Sequence, residues 1–214
     1  MKTAAQKTAA LDPSAGDRLP YAGHLDDHTV MTRGGDLIQM IQVDGIAFET
    51  ADSETLNHMA AVRDVVMRGI ANSSLMLYCH VIRRQVTAEL SGAQPDGFVR
   101  DLDDAWQQQL RGKKLYINDM VLMLVRRPAQ GKIGFFDRLT KWGNGTRNSA
   151  ERLADQTREL RELDAARTNL LSALSRYGPR LLGRYHDANG TCSEPLEILS
   201  ALYNGEMQPV LEPT

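Results

Sequence analysis

Cysteine is almost missing from this chain, with two in 214 residues. Two thiols cannot build a disulfide framework, so a stapled secreted scaffold is excluded and a reducing compartment is expected. Aromatic residues are sparse at 6%. Charge is nearly balanced, at −2 overall, so no global field pulls the chain toward nucleic acid and any basic surface must be local. No apolar run approaches the ~20 residues that cross a bilayer. The N-terminus has lysines but no apolar core, so it does not read as a secretory signal. The order of glycines, lysine and hydroxyl that makes a phosphate loop is also missing. The nearest fragments, Gly131-Lys132-Ile133-Gly134 and Gly143-Asn144-Gly145-Thr146, have the wrong spacing. No serine lies in a G-x-S-x-G elbow.

What is present is ordinary globular material, 42% apolar and 24% charged, enough to bury a core. Residues 1–17 hold little to bury and read as a disordered leader, with residues 18–214 forming one domain. Thr29–Thr32 and Leu37–Val43 flank Arg33-Gly34-Gly35-Asp36, a hairpin signal. Asp52 or Ser53 caps a helix whose stripe is Leu56, Met59, Val62, Val66 and Ile70. Leu75–Ile82 is an apolar strand closed by Arg83-Arg84, with Cys79 expected to be a small buried side chain. After a surface loop over 87–97, Phe98–Leu110 reads as a helix with Phe98, Leu102, Ala105, Trp106 and Gln109 near one face. Leu115–Val125 is a second strand, closed by Arg126-Arg127-Pro128. The two passages form a weak repeat of helix, turn, strand and arginine pair.

Residues 129–148 read as a long connection. Asn148 and Glu151 have capping-box spacing before the longest helix, about Ser149 to Tyr177. Its heptad positions are Leu153, Leu160, Leu163, Leu170, Leu174 and Tyr177, interrupted by Gln156 and Arg167. A short strand near Leu181–Tyr185 follows. Cys192 and Ser193 fall in a polar loop, Ser193 capping a last helix over Pro195–Tyr203. The expected fold class is α+β: a mixed sheet of about five strands opened by a hairpin, helices mainly on one face, and one long helix near the C-terminus.

Three groups of residues could carry chemistry. His24, Asp26, Asp27 and His28 crowd together as HLDDH, and in a strand His24, Asp26 and His28 would share a face. A polar strand entry is a plainer explanation than a metal, and no further imidazole or thiolate is nearby in sequence, so no metal is assigned. His80 lies in an apolar run and reads as a core or sheet-edge histidine. Arg83, Arg84, Arg126 and Arg127 end strands, where solvated charge is the plain reading. Were the two strands parallel neighbours, four guanidiniums would gather into an anionic contact. Between Gly131 and Asn148, Phe135, Phe136, Leu139 and Trp142 recur at helical spacing. Lys132, Arg138, Lys141 and Arg147 stand against Asp137 there, giving +4 − 1 = +3. An aromatic face flanked by cations suits a partner groove or a membrane surface, or a lid on this domain's own core.

Five stretches then line up in order: PYAGHLDDHTVMTRGGDLIQMIQVDG, AFETAD, LMLYCHVIRR, LYINDMVLMLVRRP and SEPLEILSALYNGEMQPV. Together they resemble the N-terminal domain of the TrbE/CagE/VirB-class ATPases of bacterial type IV secretion and conjugation systems, over about Leu19 to Val210. The resemblance implies a cytoplasmic ATPase, peripheral at the inner membrane and oligomeric, that energises pilus biogenesis and transfer of DNA or protein. Its Walker motifs, with their ATP and Mg, lie in a later domain, so no catalytic, cofactor or metal residue is assigned here. The partners it implies are inner-membrane subunits of the secretion channel and other copies of the ATPase, with peripheral membrane contact and no direct nucleic acid. The expected role is assembly and docking. The alternatives are a nucleic-acid-binding module using the arginine-rich strand ends and an enzyme with its site at HLDDH.

Overall fold

The computed structural model describes residues 19–46, 48–87, 97–128 and 149–212. The leader, the loop core and the segment from 129 to 148 fall outside these residues, as does the Asn148 cap. The class is α+β. The main sheet runs β1-β2-β3-β5-β4, and β6 pairs with the free part of β3. Its strands are β1 (Tyr21–His24), β2 (Val30–Thr32), β3 (Leu37–Val43), β4 (Leu75–Val86), β5 (Leu115–Arg126) and β6 (Pro179–Leu181). A separate hairpin joins β7 (Arg184–Asp187) to β8 (Gly190–Ser193). The helices are α1 (Ser53–Ile70), α2 (Phe98–Arg111), α3 (Ser149–Ala173) and α4 (Glu194–Asn204).

The expected mixed sheet is corrected in one respect: every ladder among the described residues is antiparallel. β3 and β4 do run parallel, but β5 lies between them and opposes both. The passage β3–α1–β4 is thus a crossover with β5 in its gap. β4–α2–β5 is an antiparallel hairpin with a helix at its tip.

Strand alternation builds two cores. Leu37, Ile41, Leu122 and Leu124 face α1 and α3, which supply Ile70, Leu163 and Leu170, with Leu174 just past the end of α3. Ile38, Met40, Val121, Met123 and Val125 face the other way, toward Ile198 and Leu199 of α4. Helices therefore cover both faces, two against one, because β3 is apolar on both sides (burial is nearly complete along it). Leu163 and Leu170 are fully buried. Such a side chain contributes about 2–3 kcal/mol by leaving water.

The caps match their residue types. Asp52 accepts the Thr55 N–H at 2.7 Å to start α1, and Ser193 accepts the Leu196 N–H at 3.2 Å to start α4. α3 stops at Ala173, four residues before Tyr177, and a 3-10 turn over Ser175–Tyr177 completes the passage. Gly178 follows at φ 59°, a left-handed conformation that favours glycine. The expected strand at Leu181–Tyr185 is two strands that belong to different sheets.

Candidate docking surface

The two cysteines exchange their expected places. Cys79 is exposed on β4, and Cys192 is fully buried on β8. Both are free thiols.

HLDDH is a structural corner. The Asp26 carboxylate accepts the N–H groups of His28 and Thr29, each at 2.8 Å, and the Thr29 hydroxyl at 2.9 Å. His28 Nδ1–H donates to the Leu182 carbonyl at 3.1 Å. His24 turns elsewhere, its Nδ1–H donating to the Asp26 carbonyl at 3.1 Å. That proton leaves Nε2 to accept the Ser193 hydroxyl at 2.7 Å. The Glu212 carboxylate stands 3.3 Å from the same nitrogen. A serine on a histidine suggests nucleophilic chemistry, but Ser193 is fully buried and caps α4, so no substrate can reach it. Burial pushes the His24 pKa down, against smaller raising effects of the Asp26 carbonyl and Glu212. Among the described residues no group of His, Cys, Asp and Glu is placed to hold a metal.

The four arginines do not meet. β4 and β5 are neighbours but antiparallel, so Leu75 lies opposite Arg126 and Arg83 opposite Asn118. The two pairs are eight residues apart along the ladder, roughly 26 Å. Three of the guanidiniums also have their own settings. Arg126 is buried, donating to Glu162 at 2.7 Å and to the Arg127 carbonyl at 3.1 Å, which clamps α3 to β5. Arg84 meets Asp119 at 2.5 Å. Arg83 lies 4.6 Å above the Tyr116 ring. Lys132, Phe135, Phe136, Arg138, Leu139, Lys141 and Trp142 lie outside the described residues. His80 stands beside Tyr78 with ring centroids 6.2 Å apart, and its buried Nε2 has no hydrogen-bond partner among the described residues.

Sequence reasoning passed over Gln39, a polar residue inside the apolar β3. Its amide donates to Thr29 Oγ1 at 2.9 Å and to Asp164 Oδ1 at 2.8 Å, joining the hairpin to α3. The only signal in the sequence was its lone polarity among apolar neighbours on its face.

The surface that stands out is the hairpin arm. Past Val81 the β4–β5 ladder outruns the helices that cover its first half, and β5 changes from buried to exposed. Val81 is 58% exposed, Tyr116 47% and Ile117 37%. α2 sits at the tip and buries none of its residues. Its apolar stripe faces water: Phe98 is 78% exposed, Leu102 59% and Trp106 55%. The half-buried residues are Asp103, Gln107 and Leu110, about a quarter-turn round from the stripe, and Gln107 donates to Asp103 at 2.9 Å. A helix whose apolar stripe faces water places an apolar surface where a partner can cover it.

Residues 28–133 match the family described as type IV secretion system ATPase VirB4/TrbE, N-terminal domain. The chain is similar to the type IV secretion system protein virB4 of Bartonella henselae, 29% identical over 91% of this chain and 24% of the relative. It is equally similar to virB4 of Brucella suis, 29% identical over 92% and 24%. PtlC, a type IV secretion system protein of Bordetella pertussis, is 29% identical over 91% and 24%. The chain spans about a quarter of the length of these curated relatives.

Proposed function

From the premise that this chain belongs to the type IV secretion ATPase family VirB4/TrbE, as its N-terminal domain, we propose that it is an assembly domain. It docks the ATPase onto inner-membrane subunits of the secretion channel. ATP and Mg act in a separate motor domain, which energises pilus biogenesis and substrate transfer. The full protein works at the cytoplasmic side of the inner membrane.

One observation carries this reading: the apolar stripe Phe98, Leu102 and Trp106 is exposed on a helix that contributes nothing to either core. A surface of that kind is retained for a partner rather than for folding. Contact through a single short helix is weak, and repeated copies in an assembly would strengthen it by raising effective concentration. The aromatic and basic residues Phe135, Phe136, Leu139, Trp142, Lys132, Arg138 and Lys141 are proposed as a second contact, with the partner or the membrane surface. The nucleic-acid reading loses support, since the arginine pairs are separated and three of the four are engaged.

The test is co-isolation. The tagged 214-residue chain, expressed beside its own secretion system, should retain inner-membrane channel subunits in mild detergent. The Leu102→Ser/Trp106→Ser double variant should lose most of this retention while keeping its circular dichroism and melting temperature. Equal retention by both chains would remove α2 as the docking surface. Co-isolation of only other copies of the ATPase would reassign it to self-assembly.

A further inference from the structure

We propose that the outer edge of β4 is a strand-addition site for an extended, acid-bearing segment of another protein. The proposal rests on the docking reading above and gives one of its surfaces a chemistry.

β4 ends the strand order, and no described strand pairs with its far side. It is twelve residues long. In an antiparallel ladder alternate residues turn their N–H and C=O groups away from the partner, so half of β4's backbone groups face outward. Proteins usually guard such edges with charge, proline, a bulge or brevity. β4 has none of these over Leu75–Ile82, which holds no charged residue and no proline and pairs with β5 without a register break. Among the described residues that leaves roughly 26 Å of regular, unguarded edge.

A groove of ≈ 440 Å³ opens at the same edge, between the end of α1 and the start of β4. Met67, Ile70, Leu75, Leu77 and Leu124 line it, with Asn72 as a polar member. An added strand would turn every second side chain toward that face. Main-chain bonds would then supply affinity, and the groove would select an apolar side chain.

Charge decides the occupant. β4 carries Arg83 and Arg84 and no carboxylate of its own. Arg84 is already paired with Asp119. Arg83 stacks on Tyr116 and meets no carboxylate among the described residues. A second copy of β4 would bring two more guanidiniums and no acid, leaving Arg83 uncompensated. A foreign strand with apolar residues beside Leu75 and Leu77, and Asp or Glu beside Arg83, satisfies both ends.

The experiment pans a random 12-residue peptide library on the immobilised 214-residue chain. Enriched peptides should carry apolar residues at alternate positions and an acidic residue toward one end. An enriched peptide is then N-methylated on one alternate set of residues or on the other. One set should weaken binding about tenfold or more, by removing backbone bonds, while the other leaves it within about twofold. Arg83→Glu should weaken binding about three- to tenfold, and Glu→Lys in the peptide should restore it. No enrichment, equal effects of the two methylated sets, or a β4-mediated dimer that the peptide dissociates would each overturn the proposal. If peptide binding fails while the chain still co-isolates with membrane subunits, the strand-addition site falls and docking stands. If the peptide binds but co-isolation fails, the strand-addition site stands and docking to membrane subunits falls.

Discussion

His24 joins three parts of the chain that are remote in sequence: the β1 corner, the cap of α4 and the terminal stretch around Glu212. Its side chain is only 1% exposed. Arg184 extends the tie, meeting Glu212 at 2.6 Å and Asp27 at 3.6 Å. Burial lowers the His24 pKa, so the folded chain prefers a neutral ring. The unfolded chain, with an ordinary histidine pKa near 6.5, binds more protons below that value. Stability therefore falls as pH drops through the unfolded pKa toward the lower folded one, and is fully kept above it. The groups facing the ring are Ser193, Glu212, Arg184 and both the carbonyl and the carboxylate of Asp26, so the test compares variants rather than one curve. Urea midpoints should decline between pH 7 and pH 5 in the parent chain and decline less in His24→Gln. Parallel curves would show that the ring is not the titrating group.

Two helices with similar apolar spacing have opposite fates. α3 buries Leu163, Ala166 and Leu170 against the sheet, whereas α2 buries nothing. Leu170→Ala should cost about 2–5 kcal/mol, by lost transfer and a cavity among immobile neighbours. Trp106→Ser should move stability by no more than about 0.5 kcal/mol, as a surface change does. Chemical denaturation of both variants checks the contrast, and a large loss from Trp106→Ser would place α2 in a core. The contrast also shows why part of the fold was readable and part was not. Period 3.6 tells that one face of α2 is apolar, but not whether protein or water meets that face. The α1 cap at Asp52, the α4 cap at Ser193 and the β2–β3 hairpin were legible because each depends on neighbours in sequence. Strand direction was not, since the arginine repeat is silent about β5 inserting between β3 and β4. Arg126 read as a solvated strand end because its partner Glu162 lies 36 residues away. Only the start of β7 was expected, and β8 and their pairing were missed because these strands carry little apolar pattern and only the Asn189-Gly190 turn marks the hairpin. For the candidate site, α2 and its stripe were visible, while its exposure and the open β4 edge needed the tertiary structure.

At the scale of the molecule, stability is graded along the β4–β5 ladder. At one end Leu122 and Leu124 are sealed by α1 and α3, and Val121, Met123 and Val125 are sealed on the opposite face. At the other end the same two strands carry Val81, Tyr116 and Ile117 into water and lead to α2. Local opening costs little where few apolar contacts are lost and the backbone bonds are already solvated. Amide exchange should therefore be slowest in β3, the second half of β5 and the middle of α3, opening only with global unfolding. It should be orders of magnitude faster in α2 and in β4 beyond Val81, at a cost near that of a fraying element. A docking partner would reverse the order locally, slowing exchange in α2 in proportion to its occupancy and leaving β3 unchanged, because ligand stabilisation acts on the segment it covers. Mass-spectrometric exchange on the 214-residue chain, alone and with channel subunits added, measures both. Uniform protection across the ladder in the free chain would mean that the arm is part of the cooperative core, and that its exposed apolar residues are not held ready for a partner.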